Sequence, residues 1–309
     1  MSLEQITYGS WGNCLRLSNG KAELIVTLDF GPRIIRFGWI GGQNIFCEDT
    51  EVVSSASGED FDQYYGEGSA WYIRGGHRLW TSPEARPRSY YPDNEPVAWE
   101  EIENGVRLTP PPQKWTQLQM SLEVTLCPKD AKVTVVHHIQ NLGAWDVEFA
   151  AWGLSVLARG GVEFVPQPQK DTVLLGNRVL ALWPYTRMTD ERVRWGDRFI
   201  TLRQNPEEEH PIKFGINSEH GYALYCLNGD LFVKQFDLHE GAAYPDGGMS
   251  FETYTNSLML EMESISPLYR VAPGAAISHT ERWSLYANVT APNPADEDAV
   301  QTLADQYVK

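Results

Sequence analysis

Residues 118–126 alternate strictly, with Leu118, Met120, Leu122, Val124 and Leu126 on one side and Gln119, Ser121, Glu123 and Thr125 on the other. A two-residue period is that of a strand with one buried face. Comparable runs over Ala22–Thr27, Arg33–Trp39, Lys132–Gln140, Glu148–Leu157, Lys213–Asn217, Gly221–Leu227, Leu231–Phe236, Leu258–Ser264 and Ala276–Tyr286 predict further strands. Turn pairs separate them: Asn19-Gly20, Gly41-Gly42, Asn104-Gly105, Asn228-Gly229 and Pro273-Gly274. Asn228-Gly229, between two apolar runs, is the clearest hairpin. Helical spacing occurs at the C-terminus, where the pattern predicts a helix over 293–308. Asn293 is its expected cap, Pro294 its first residue, and Asp296 and Glu297 lie in the first turn. Ala299, Val300, Leu303, Ala304 and Tyr307 then form an apolar stripe that packs on the strands.

Many strands with hardly any crossover helix predict an all-β protein, a single large antiparallel β-sandwich with a short C-terminal helix. No linker or internal repeat interrupts the 309 residues, so one domain over 1–309 is expected. The segment 48–96 is long, acidic and poor in alternation, yet holds Tyr64, Tyr65, Trp71, Tyr72, Trp80, Tyr90 and Tyr91. It is read as an ordered functional loop.

Composition narrows the function. Hydrophobic residues at 42% and aromatics at 12% suffice for a packed core. Lys and Arg number 25 against 41 Asp and Glu, a net charge of −16 that argues against nucleic acid and anionic membrane as partners. No stretch approaches the roughly 20 apolar residues of a membrane-spanning helix. Met1–Ser10 lacks the cationic start and apolar run of a signal peptide, so a cytoplasmic location is expected. Cys14, Cys47, Cys127 and Cys226 are scattered, none in a Cys-x-x-Cys pair, and are expected to be reduced thiols. Nucleophile-elbow, Walker, dinucleotide and His-Glu-x-x-His motifs are absent from the sequence. No cofactor or metal is expected; the sequence does not address oligomeric state.

Residues that break the alternation mark a candidate site. Lys234 is in phase with Phe232, Phe236 and Leu238, so its ammonium needs a partner, a wet cleft or an outlet along the surface. Glu261 and Glu263 oppose Leu260 and Met262, facing either solvent or a cleft. Between Tyr72 and Trp80 lie Arg74, His77 and Arg78, hinged on Gly75-Gly76. They present several donors to one ligand, or pair with Glu59, Asp60 and Asp62 in a turn. Trp80 has the flat face on which a sugar ring stacks. Tyr244-Pro245-Asp246-Gly247-Gly248 reads as a turn, and with Glu252 and Tyr254 could line a cleft mouth. His137, in phase with Val133, Val135 and Ile139, reads as a core histidine.

Asp29-Phe30-Gly31-Pro32-Arg33-Ile34-Ile35 followed by Gly41-Gly42-Gln43-Asn44-Ile45-Phe46 resembles the opening of aldose 1-epimerase-type proteins, the galactose mutarotase-like superfamily. Ile73-Arg74-Gly75-Gly76 is similar to a signature of the hexose-6-phosphate mutarotase branch. Leu260-Glu261-Met262-Glu263, then Val271-Ala272-Pro273-Gly274, resembles the late strand bearing the catalytic glutamate and the turn after it. Gly75-Gly76-His77-Arg78-Leu79-Trp80 together with Tyr91-Pro92-Asp93-Asn94-Glu95-Pro96 looks closest to a further bacterial branch. The likeness runs in order from about Ile6 to Ala287.

The resemblance implies a β-supersandwich whose concave face binds a carbohydrate. It implies a reaction in which a glutamate takes the anomeric proton while a histidine donates to the ring oxygen. Glu261 matches the base. The family histidine falls at Trp152, and an indole cannot donate a proton at neutral pH. His77 is the nearest substitute, with Lys213 and Lys234 as further candidates. Arg74, Arg78, Lys213 and Lys234 would then bind an anionic or heavily hydroxylated aldose, while Trp80, Trp152, Tyr244, Asp246, Glu252 and Glu263 line the cleft. The alternative is a non-catalytic sugar-binding module of the same fold. A lyase or hydrolase using Glu252 and Glu261 is a third reading.

Overall fold

The computed structural model describes residues 1–309. Two large antiparallel sheets stack face to face. In the 11-stranded sheet Ser2–Thr7, Asn13–Ser18, Ala22–Thr27 and Ile34–Trp39 form a meander. It continues through Gly76–Ser82, Val147–Leu157, Leu260–Ile265, Phe251–Thr255, Ile212–Ile216 and Leu180–Leu182, and Tyr269–Val271 pairs with Val147–Leu157. The 10-stranded sheet runs Val193–Trp195, Phe199–Arg203, Val162–Pro166, Tyr222–Leu227, Asp230–Phe236, Ala276–Ala287, Lys132–Asn141, Leu118–Leu126, Gly105–Thr109 and Ala98–Ile102.

A cluster of 43 buried side chains fills the space between the sheets. Phe37 and Phe46 of the first sheet's side meet Phe232 and Trp283 of the second, with Phe46 and Trp283 centroids 5.4 Å apart. Strands exposed on one side keep the alternation: Lys132–Asn141 reads exposed, then strictly buried and half-buried in turn. Ile212–Ile216 and Leu260–Ile265 are buried at every position, because their outer face is covered too. That covering hides a period-2 signal without removing the strand.

The turn at Asn228-Gly229 forms as expected. Leu227 pairs with Asp230, and both turn residues have positive φ, 46° and 88°. That is the twist-matched two-residue hairpin for which asparagine and glycine are suited. The C-terminal helix starts later than the sequence predicts. It spans Glu297–Tyr307 and its cap is Asp296, whose side chain accepts from the Ala299 N–H. Asn293 instead closes the preceding turn, accepting from the Ala295 N–H. Val300, Leu303 and Ala304 pack on Leu224, Leu231 and Val233, on the outside of the second sheet.

The segment 48–96 differs most from expectation. It contains a helix over Glu59–Tyr65, a small sheet of Ser55–Ser57 with Ala70–Tyr72, and the fully buried strand Gly76–Ser82. That strand sits mid-sheet, between Ile34–Trp39 and Val147–Leu157. Both of its faces are covered, one by the core and one by the aromatic part of its own segment, so charged and apolar residues mix along it without a period.

Candidate functional site

Five adjacent strands of the first sheet present one outward face: Gly76–Ser82, Val147–Leu157, Leu260–Ile265, Phe251–Thr255 and Ile212–Ile216. Register aligns their side chains. Trp152 stands opposite Trp80 and Leu154 opposite Arg78. Glu263 lies across from both Leu154 and Glu252, and Glu261 across from Val156 and Tyr254. Lys213 completes the row opposite Tyr254. The segment from Val53 to Ile73, with Tyr90 and Tyr185, walls the opening. The resulting cavity measures about 380 Å³ and is lined by Trp71, Trp80, Trp152, Arg78, Lys213, Glu261 and Glu263 among others. Aromatic walls with a few convergent polar groups are the make-up of a small-molecule site.

Its charges are internally paired. Arg78 Nη1 donates to Glu261 Oε1 at 2.9 Å, and the guanidinium lies 4.4 Å over the Trp80 ring. Lys213 Nζ donates at 2.9 Å to Oε2 of both Glu252 and Glu263. The indole of Trp152 donates to the same Glu263 oxygen at 3.0 Å. Burial works against the Lys213 charge, but Glu263 and Glu252 outweigh it and hold its proton well above the usual amine range. One ammonium cannot offset two buried carboxylates. Burial therefore pushes Glu252 up to about 7 and Glu263 up to about 8, with Lys213 opposing. Arg78 Nε, Trp71 Nε1, Glu252 Oε1 and Glu263 Oε1 are buried without partners. Of these, the atoms of Arg78, Trp71 and Glu263 belong to residues that line the cavity, so its wall is rich in buried polar groups that the protein itself leaves unpaired.

Of the residues expected at the site, Arg78, Trp80, Trp152, Lys213, Glu261 and Glu263 line this cavity, with Glu252 directly behind Lys213. Asp246 lies in an adjoining open cavity of about 480 Å³ that shares Ser55, Glu84 and Tyr90 with the first. Tyr244 is turned aside, its hydroxyl accepting from the His239 N–H at 2.9 Å. Arg74 is outside the cleft, 3.6 Å over the Phe30 ring and hydrogen-bonded to Asn94.

His77 and Lys234 do not reach the cleft. His77 precedes Arg78 on one strand, so when Arg78 faces outward His77 must face the other sheet. Lys234 belongs to the second sheet and points at the same interior, and both side chains are fully buried. Together with His137, His279, Ser155, Ser264 and Glu281 they form a polar network between the sheets. His137 Nδ1 lies 2.8 Å from the His279 carbonyl and must donate to it. Its Nε2 therefore accepts from His77 Nε2 at 2.7 Å, and His77 Nδ1 accepts from the Ser155 hydroxyl at 2.9 Å. Lys234 Nζ sits among four acceptors, Glu281, Ser155 and the carbonyls of Gly153 and Met262, at 2.8–3.1 Å, and shares its three N–H donors among them. Ligating atoms of His77, His137 and Glu281 do lie within 4.8 Å of one another. An ion there would have to push apart a pair of rings closer than the about 3.3 Å between ligands of a tetrahedral zinc. It would also sit beside the Lys234 ammonium.

Tyr185 and Glu84 line the cleft without any forewarning in the sequence, since both lie in irregular segments. Tyr254, which the sequence offered as lining a cleft mouth, and Trp71 and Tyr90, from the aromatic segment read as a functional loop, also line it. The four cysteines are free.

No protein-family model and no curated protein matches this sequence. Solved structures do. A TPR-domain-containing protein from Parabacteroides distasonis ATCC 8503 superposes over 91% of this chain with a TM-score of 0.60 at 13% identity, the match covering 48% of that protein. The chain thus spans about half the length of that relative. A galactose mutarotase-like protein from Clostridium acetobutylicum matches over 93% of this chain and 99% of its own, at TM-score 0.55 and 11% identity. One from Lactobacillus casei ATCC 334 matches over 88% and 100%, at TM-score 0.55 and 9% identity. The protein therefore has the fold of the galactose mutarotase-like proteins, an antiparallel β-sandwich with its cleft on the outer face of the longer sheet.

Proposed function

We propose that the cleft binds a neutral aldose and interconverts its anomers by acid/base ring opening, with Glu261 as the base. Supporting this, Glu261 is 7% exposed, lines an aromatic cavity and keeps Oε2 free of protein hydrogen bonds while Arg78 holds Oε1. A sugar stacked on the tryptophans would set its anomeric hydroxyl against that free oxygen. The mutarotase-like neighbours support the same class of ligand. An anionic substrate is disfavoured: Arg78 and Lys213 are each committed to carboxylates, and Arg74 and Lys234 lie elsewhere.

Polarimetry or proton NMR of freshly dissolved aldoses tests the reading. Wild type is expected to speed anomerisation, and Glu261→Gln to lose about 100-fold or more of that rate, the usual weight of a general base. Sugar binding by both proteins with neither speeding the reaction would leave a non-catalytic binding module.

A further inference from the structure

We propose that the cleft takes a reducing disaccharide, or the reducing end of a longer oligosaccharide, with the second sugar stacked on Trp183 in the adjoining cavity. The assignment rests on the carbohydrate reading of the cleft given above and names the size of its ligand. The central cavity, about 380 Å³, is continuous at Ser55, Glu84 and Tyr90 with a second of about 480 Å³. The second more than doubles the space next to Glu261, and the two together stay within the size of a small-molecule site. A single hexose held against Glu261 leaves the second cavity to water.

Strand pairing puts an aromatic platform there. Leu180–Leu182 is the edge strand on this side of the sheet, and Leu182 pairs with Phe214. Trp183 comes one residue later, and its backbone N–H donates to the Lys213 carbonyl at 3.4 Å. It therefore falls opposite Lys213 and on the same face, as directly opposed residues of antiparallel strands do. The Lys213 ammonium lies 4.8 Å from the centre of the Trp152 ring and 4.6 Å from that of Trp183. One cation thus fixes two neighbouring indoles, the first lining the central cavity and the second the adjoining one. Trp183 stays partly exposed, so a ligand can reach it.

Polar groups surround the platform. Asp246 and Glu84 are exposed at the wall of the adjoining cavity, where their carboxylate oxygens can accept from the hydroxyl rim of a sugar whose flat face covers the indole. Arg86, the one cation of that wall, already donates to Asp60 at 2.7 and 3.2 Å. An acidic rim with its cation engaged favours a neutral sugar over an anionic one. The opposite flank offers no equivalent. A cavity of about 190 Å³ meets the central one at Val53, Ser54, Ile73 and Met259, and no aromatic residue lines it. The second sugar is therefore assigned to the Trp183 side. Because Glu261 acts at the anomeric carbon of the first sugar, that sugar is the reducing end, and the second is joined to it through another of its hydroxyls.

Isothermal titration calorimetry tests this at equilibrium, without requiring catalysis. The probes are glucose, galactose, mannose and xylose, each beside a reducing disaccharide of the same sugar: maltose and cellobiose, galactobiose, mannobiose and xylobiose. Wild type is expected to bind at least one of these disaccharides about tenfold or more tighter than its own monosaccharide, the weight of a stacked tryptophan. Trp183→Ala should bring that ratio to within about twofold of one, and Trp183→Phe, which keeps a flat face, should retain most of it. The ratio is the readout, because a general disturbance of Lys213 or of the fold moves both sugars together. A wild-type ratio within about threefold of one for every pair, or a preference that survives Trp183→Ala, overturns the second subsite and leaves the anomerisation reading in place. Binding of no sugar of either size overturns the carbohydrate reading and this assignment together. Should Trp183→Ala not fold, Trp183→Leu, which fills the volume without a flat face, replaces it, and the wild-type ratio remains a test by itself.

Discussion

The Arg78 guanidinium performs two tasks at once, covering the Trp80 ring at 4.4 Å and holding one oxygen of Glu261 at 2.9 Å. Its planar fork suits both contacts, and a lysine ammonium would satisfy only the charge. Arg78→Lys is therefore expected to retain sugar binding within a few fold but to slow anomerisation about tenfold, since Glu261 loses its fixed orientation. Arg78→Met should fall further by both measures, because Glu261 is left without its cation. Calorimetric titration of an aldose beside polarimetry separates the two effects. At this scale, six of the residues singled out from the sequence come together in the lining of one cavity. His77 and Lys234 were not placed correctly, although the alternation of the Gly76–Ser82 strand forbids His77 and Arg78 from sharing a face. Recognising that required knowing that residues 76–82 form a strand, and its doubly covered surroundings erase the period that would say so.

Among the elements, those with one wet face and sharp ends were the readable ones. Leu118–Leu126, half-exposed on one side, begins and ends where the pattern places it, and Ala22–Thr27, though buried at every position, is bounded as sharply because the Asn19-Gly20 turn precedes it. The terminal helix was foreseen with its stripe but not its cap, because Asn293, Asp296 and Pro294 offer two overlapping start signals. Packing chooses between them: Glu297 accepts from the backbone N–H groups of Arg198 and Phe199, which anchors the first turn to the second sheet. Asp296→Ala should lower stability by about 1 kcal/mol, measured by chemical denaturation, as loss of a side-chain cap does. Asn293→Ala, which only disturbs a turn, should cost less.

For the molecule as a whole, the unusual feature is a hydrogen-bonded polar layer within an otherwise apolar interior. His77, His137 and His279 are all held below the ordinary histidine value, first by burial, and His279 falls to about 3. A histidine neutral in the fold but protonated in the unfolded chain stabilises fully above pH 6.5 and loses that contribution as pH falls below it. For His279 the loss between pH 7.5 and pH 5 is about 2 kcal/mol, taking 6.5 as the unfolded value. Removing the ring should remove that dependence. The stability difference between wild type and His279→Asn, followed by thermal unfolding, is expected to shrink by this amount over the same range. A difference independent of pH would show that this ring is not held neutral.

The amino-acid order alone determined the all-β class, the turn positions and the chemical inventory of the site, because period-2 burial, Asn-Gly turns and residue type are local properties. Which glutamates, cations and tryptophans meet was decided by tertiary structure. Strands near residues 80, 152, 213, 252 and 261 become neighbours only through long-range pairing, and that pairing, together with the covering of both sheet faces, settles whether a charged side chain opens onto a cleft or is sealed between layers.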